Sequence, residues 1–317
     1  MNATLKDELI QRGYTENTIV LDRGYKQYLT KDGKVVLTKG GYYDYPFISQ
    51  TAKKVSKDKN LSYDFANIQG IHIPATLQTT DVSKANEFLA AHKKLVVKPA
   101  ELGGGRGLTV DVTDEDTLKI AIEKATIGGK TPLIQQQFIG EEMRLTVLAG
   151  KVHSVILRRT PRVTGDGVST IQQLIERENS DRLSLQFPLL TYPQLDATMM
   201  PSELFNSQTV IGAGQVVELS RATMIGRGAS FYGILQQIHP SYLAIAEKLA
   251  NNLNPSMLVI DLMVKNFTEP ATDDNYIFLE FNTAPALQIY SSIRAGDQPD
   301  VISKLADMVE AFAEACA

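Results

Sequence analysis

The chain has 317 residues, 43% hydrophobic and 21% charged, enough for an ordinary globular core in one large lobe or two to three smaller ones. A net charge of −4 implies no basic face, which argues against nucleic acid as a partner. No run approaches ~18 apolar residues and the polar opening has no apolar leader core, so the expectation is a cytoplasmic protein with no membrane partner. Cys316, the single cysteine, cannot form an intrachain disulfide and suits neither a metal site nor a nucleophile at that terminal position.

In chain order, the spacing of Leu5, Leu9 and Ile10 predicts a helix, followed by short strands Thr18–Leu21 and Lys34–Thr38. The aromatic, turn-rich Gly40–Pro46 reads as a linker and sets the first boundary, with a small α/β segment over 1–50. Helices are expected over Lys59–Gln69, stopped by Gly70, and over Ser83–His92, with Ala85, Phe88 and Leu89 inward. Thr113 precedes Asp116 by three residues, a capping-box spacing that starts a helix running to Ile127 and closing at Gly128-Gly129. A hairpin of Arg144–Ala149 and Val152–Arg159 turns at Gly150. Thr170 with Gln173 caps a short helix, residues 180–214 read as irregular, and Val216–Ser220 reads as a strand. His239-Pro240 starts a helix to about Leu253, two apolar strands follow, and an amphipathic helix Asp300–Ala315 closes the chain, with Ile302, Leu305, Val309 and Phe312 inward.

The most informative stretch is Leu95–Val112. Two β-branched runs, Leu95–Val97 and Leu108–Val112, flank Lys98 and a loop holding Gly103, Gly104, Gly105 and Gly107. A strand–glycine loop–strand can fold its backbone N–H groups over a phosphate as a nest, with no Cβ in the way, and Lys98 would add a point charge to the same anion. A surface hairpin satisfies the same stretch, so the rest of the chain has to decide. Strand Ser256–Val264 is apolar on both faces except for Asp261, whose buried charge needs a cation or an ion-pair partner. In Tyr276–Asn282 the period of two puts Glu280 and Asn282 on one face. Three oxygen side chains on adjacent strands suit a hard cation of the magnesium type, completed by phosphate oxygens and water. Other nucleotide motifs fail: Leu108 stands where the dinucleotide fingerprint needs its last glycine, and no Gly-Lys-Ser/Thr follows a glycine turn. His72, His92, His153 and His239 are scattered without ligand spacing.

The ordered set of parts resembles the ATP-grasp superfamily of carboxylate–amine ligases, most closely the ATP-grasp regions of cyanophycin synthetase and of bifunctional glutathione synthetase. The resemblance runs through Asp58-Lys59, Gly70–Pro74, Lys98-Pro99, the glycine loop, Gly140–Arg144, Arg159–Thr170 and Asn282–Asp300. It implies an α/β (α+β) fold of two lobes, 51–131 carrying the flap and 132–317 carrying the metal site, clasping ATP. It also implies Lys59, Lys98 and the flap glycines on ATP, with Gln135, Gln137, Phe138 and Ile139 in the hinge at adenine and Glu142 on ribose. Arg144 and Arg159 would act on the transferred phosphate, and Asp261, Glu280 and Asn282 would hold magnesium or manganese. The acceptors would be amino acids or small peptides, and a homodimer stays open.

Three departures bear on the substrate. Gln135 stands where relatives usually carry an acid, Tyr290 where they often carry a histidine, and Ser220–Gly228 replaces a small Asn/Ser/Gly-rich loop. In that replacement Arg221 and Arg227 either grip a substrate carboxylate or are two solvated arginines. The implied reaction is amide formation through an acyl phosphate, releasing ADP and phosphate. An ATP-binding regulatory protein and a phosphotransferase on the same fold are the rival readings.

Overall fold

Leu95–Lys98 forms the strand its β-branched run predicts, burying Leu95 and Val97 and leaving Val96 and Lys98 half-buried, the alternation of a pleated strand. In the computed structural model, which describes residues 5–21, 24–39, 42–43, 47–101, 106–184, 208–220, 223 and 228–315, this strand is central to one of two compact units. That unit comprises Ile48–Val152 and Gln237–Thr283; the other comprises Met1–Phe47, His153–Gln236 and Ala284–Ala317.

The first unit contains a four-stranded antiparallel sheet in the order Thr76–Gln78, Leu133–Gln136, Leu95–Lys98, Thr109–Val112. Helices Val82–His92 and Glu115–Ala125 cover it, burying Ala85, Leu89, Leu118 and Ile122 against Leu95, Val97 and Ile134. The cap of the second helix differs from expectation. Asp114 rather than Thr113 is the N-cap, accepting from Thr117 N and Thr117 Oγ1, each at 2.8 Å. A carboxylate accepts both bonds at once and carries charge toward the positive helix end, so the helix starts one residue later than the capping-box spacing suggests.

A second antiparallel sheet of this unit runs Tyr276–Asn282, Met257–Val264, Glu141–Leu148. Helices Gln50–Lys57 and Lys59–Ile68 pack on the first of these strands, and Pro240–Leu253 packs on the other two. His239 is the N-cap of Pro240–Leu253, its ring Nδ1 accepting from Ser241 N at 3.3 Å, which gives that histidine a structural role. Gln50–Lys57 has no counterpart in the sequence reading, because it buries only Ala52 and shows no apolar stripe.

In the other unit, Leu5–Gln11 is the expected helix and buries Leu5 and Leu9, while Ile10 is exposed. It is tied to the closing helix Val301–Ala315 through Arg12, which donates to Asp307 at 2.7 Å and Glu310 at 2.9 Å. That closing helix buries Val301, Leu305 and Val309, while Ile302 and Phe312 stay half-buried. The N-terminal strands form a four-stranded meander, Thr15–Leu21, Gly24–Lys31, Lys34–Lys39 and Tyr42–Tyr43. Thus part of the expected linker at 40–46 is strand, and the rest of it lies outside the described residues. Ser230–Gly233 pairs antiparallel with Lys151–Arg159 and parallel with Ile293–Gly296, and Arg162–Thr164 pairs with Val216–Glu218. The box at Thr170 and Gln173 forms, each side chain accepting from the other's backbone N–H, at 3.3 and 2.9 Å. Its helix, Ile171–Ser184, is longer than the short one expected. Of the segment 180–214 read as irregular, 180–184 belong to this helix, 185–207 lie outside the described residues, and 208–214 hold one isolated bridge, from Val210 to Thr170. Among the described residues no helix is long and apolar enough to cross a membrane.

Candidate active site

Strand register assembles the polar cluster of the first unit. Asp261 is the Cα partner of Arg144 on one side and of Glu280 on the other, so three charged residues lie in one row across three strands. Next to this row the register shifts: Leu262 pairs with Phe278, so Leu279 is the extra residue of a bulge. Arg144 donates through Nε and one terminal nitrogen to the two Asp261 oxygens, at 2.7 and 2.6 Å. Asp261 is 1% exposed and Arg144 8%, so this is a desolvated, bidentate pair.

Asn282 lies two residues along the same strand as Glu280. Its amide nitrogen is 3.2 Å from Asp261 Oδ2 and 3.5 Å from Glu280 Oε1, so its polar end faces both carboxylates. Half a turn of that amide exchanges NH2 for oxygen and presents three oxygen donors to one point. This donor set fits a hard divalent cation. Among the described residues there is no group of three or more His, Cys, Asp or Glu side chains able to hold a metal.

Two lysines complete the cluster. Burial holds the Lys59 ammonium below its ordinary value, Glu280 opposes that shift, and Lys98 adds to it, so the three groups feel one another. Lys98 Nζ donates to Tyr63 OH at 2.9 Å, Tyr63 OH donates to Gln135 Oε1 at 3.3 Å, and Gln135 Nε2 donates to Thr76 Oγ1 at 2.8 Å. Gln135 is 3% exposed, and its backbone is committed to pairing with Thr76 and Val96. Its side chain therefore belongs to the surroundings of Lys98. Tyr63, absent from the sequence reading, is the residue that links them.

The remaining expected residues fall as follows. Gln137 bonds Asp111 twice, accepting from its backbone N at 2.7 Å and donating to Oδ1 at 3.0 Å, where Asp111 takes φ +58°. Phe138 lies under Lys265 at 5.3 Å, Ile139 is exposed, and Glu142 is half-buried two residues before Arg144. Between them, Gly140 leaves no room for a side chain, since a Cβ there would stand 2.4 Å from Val264 O. Gly107 has φ +70°. Gly103, Gly104 and Gly105, and likewise Arg221 and Arg227, lie outside the described residues. Arg159 belongs to the other unit, with its guanidinium over the Tyr232 ring at 5.0 Å, and it lines a cavity of about 370 Å³ there. Tyr290 is buried in that same unit.

The fold is that of the ATP-grasp proteins, as the resemblance implied. A crystal structure of a bifunctional glutathione synthetase from Pasteurella multocida superposes with a TM-score of 0.68 at 20% identity, over 97% of this chain and 43% of that one. Residues 60–173 match the prokaryotic glutathione synthetase ATP-grasp domain, a stretch that holds Lys98, Arg144 and Arg159 but ends before Asp261. Within that class, the chain is 28% identical to cyanophycin synthetase of Geminocystis herdmanii over 68% of its own length and 25% of the relative's. It is 24% identical to the glutathione biosynthesis bifunctional protein GshAB of Clostridium perfringens, over 80% of its own length and 34% of the relative's. The chain thus spans about a quarter to a third of these curated relatives, which are the two kinds the sequence pointed to.

Proposed function

We propose that the chain is an ATP-dependent carboxylate–amine ligase, joining an amino acid or small peptide to an amine through an acyl phosphate. The observation that carries this reading is the row Arg144–Asp261–Glu280 with Asn282 beside it and Lys59 and Lys98 within its field. Its named relatives, cyanophycin synthetase and the glutathione biosynthesis protein, support the reaction class.

In this reading the lobes are 51–131 and 132–317, preceded by the segment 1–50. Asp261, Glu280 and Asn282 would hold magnesium, or manganese in its place, and the cation would supply neutralisation of phosphate charge. Lys98 and Lys59 bind phosphate oxygens, and Tyr63 keeps the Lys98 ammonium directed. Arg144 fixes the Asp261 carboxylate, while Arg159 stabilises charge on the transferred phosphoryl group. A substrate carboxylate oxygen attacks the γ-phosphorus, the bond to ADP breaks, and the amine nitrogen then displaces phosphate from the acyl carbon. No protein nucleophile takes part, in keeping with the scattered histidines and the single terminal cysteine.

The test is ADP and phosphate release with ATP and magnesium over a panel of amino acids, dipeptides and γ-glutamylcysteine plus glycine, with products weighed by mass spectrometry. A product at the mass of two substrates less water is the expected result. ADP release with a phosphorylated product and no amide would replace the ligase by a phosphotransferase. ATP binding without turnover across the panel would replace it by a regulatory nucleotide binder.

A further inference from the structure

The strand that leaves the glycine loop carries an irregularity that phosphate binding alone leaves unexplained. Leu95 pairs with Val112 and Val97 with Thr109, so Val96 stands opposite two residues, Val110 and Asp111. This is a β-bulge, and Asp111 sits in it with φ +58°. Glycine is the usual occupant of that left-handed region, with Asn and Asp admitted because their short polar side chains can bond nearby backbone. The Asp111 side chain reaches past the start of the intervening strand, Leu95–Lys98, to the hinge. Gln137 Oε1 accepts from Asp111 N at 2.7 Å, and Gln137 Nε2 donates to Asp111 Oδ1 at 3.0 Å. That Oδ1 also pairs with Lys94 Nζ at 2.5 Å, and the Lys94 carbonyl accepts from Gln137 N at 2.9 Å.

Three residues from neighbouring segments thus close a ring: Lys94 before one strand, Asp111 within the next, and Gln137 after a third. The Lys94 and Asp111 side chains are 38% and 27% exposed, and an ion pair so open to water adds little stability. What the ring supplies is geometry. It joins two segments that are each held at their other end. Toward the loop, Gly107 lies so close to Pro99 that a Cβ there would stand 2.8 Å from Pro99 Cγ. Beyond Gln137, Phe138 lies under Lys265 and Gly140 lies against Val264 O.

We infer that Asp111 is a positioning residue, tying the strand after the glycine loop to the hinge at Gln137. The tie keeps the phosphate end and the adenine end of the ATP site at a fixed spacing. The inference rests on the reading of loop and hinge as ATP contacts. A nucleotide that touches both ends gains fully from each only when their spacing is set beforehand; otherwise binding has first to order them. Adenosine, which lacks the phosphates, is indifferent to that spacing.

The experiment compares the whole chain with its Asp111→Gly and Asp111→Asn variants, using ATP with magnesium, and adenosine, as competitors of a fluorescent ATP analogue. Glycine takes φ +58° without strain, so its variant keeps the bulge and loses the carboxylate. Asparagine also tolerates that region and keeps an oxygen for Gln137 Nε2. The expected result is ATP weakened about five- to tenfold in Asp111→Gly, adenosine unchanged, and most of the ATP affinity regained in Asp111→Asn. Hydrogen exchange in the nucleotide-free chain gives a second readout. There the amides of 109–112 and of 136–139 should exchange faster together in Asp111→Gly. A ratio of ATP to adenosine affinity unchanged in Asp111→Gly overturns this role and leaves the ATP reading standing. Joint acceleration of both segments in a chain that binds no ATP keeps the tie and removes the ATP reading. A chain that binds no ATP and shows no joint acceleration overturns both.

Discussion

Arg144 grips both carboxylate oxygens of Asp261, at 2.7 and 2.6 Å, in a place where the carboxylate is 1% exposed. Taking two charges out of water costs several kcal/mol per ion, so the pair adds little net stability as a whole. Removing one member is different, because the other stays buried without its bidentate partner. Arg144→Leu is expected to lower stability by about 3–5 kcal/mol. The double variant Arg144→Leu/Asp261→Leu should recover most of that loss while abolishing turnover. Denaturant unfolding of the four members of the cycle measures the coupling, and additive losses would dissolve the pair as a unit.

Lys59 gives a pH signature with a definite sign. Burial lowers its value below the ordinary 10.5, Glu280 pulls it back, and Lys98 pushes it further down. Between the folded value and 10.5 the unfolded chain carries the proton and the fold does not, so stability rises with pH across that window. Below the folded value the cost of the buried charge is complete. Glu280→Gln removes the opposing charge and should lower the Lys59 midpoint further, whereas Lys98→Met should raise it. NMR titration of the Lys59 side chain in the two variants reads both shifts, and midpoints that move the other way would separate these groups.

How far this site could be read from sequence depends on which side of a long-range pairing a residue falls. Period-two alternation in Tyr276–Asn282 puts Glu280 and Asn282 on one face, and both direct polar atoms toward Asp261 or each other. The bulge at Asp261/Leu262 was not legible, because it exists only in the register between two strands. The same holds for the Arg144–Asp261 pair, whose members are joined by strand pairing alone. Strands Arg162–Thr164, Ser230–Gly233 and Ile293–Gly296 are three or four residues long, too short for a period to show. Two cavity arginines were lost with them: Arg162 and Arg294 sit on two of these strands, and nothing local in the sequence marks them as neighbours. Tyr63 was missed for a further reason, since an aromatic in an amphipathic helix reads as core until its hydroxyl finds a partner.

Gln135 shows why a departure at one position need not disturb the site. The resemblance implies an acid there; here the amide accepts from Tyr63 and donates to Thr76, so both ends are satisfied without a charge. Tyr63→Phe removes the hydroxyl between Lys98 and Gln135 and leaves the buried Gln135 oxygen without that donor. A cost of about 1–2 kcal/mol in stability is expected. Because the Lys98 ammonium also loses its tether, the affinity for ATP should fall several-fold while Lys98→Met falls further. Equilibrium ATP binding to both variants checks the order, and unchanged binding in Tyr63→Phe would reduce Tyr63 to a packing residue.

The donor set of Glu280 and Asn282 predicts a division between chemistry and fold. Both side chains are half-buried and lie at the end of a strand whose apolar residues, Phe278 and Phe281, are buried. Replacing Glu280 by Gln, or Asn282 by Ala, removes a cation donor without opening a cavity in that core. Turnover should drop by about 10²–10³-fold, the scale of losing one preorganised electrostatic group at a phosphoryl transfer. Melting temperature should fall by no more than a few degrees, because neither change removes apolar bulk from the core and the loss is that of a hydrogen bond or two, about 0.5–1.5 kcal/mol each. Asn282→Asp adds a third carboxylate to the row and should tighten the requirement for the cation, shifting the magnesium dependence of turnover to lower concentration. Variants of both residues that turn over like the parent would leave the row a structural ion-pair network and move the cation elsewhere.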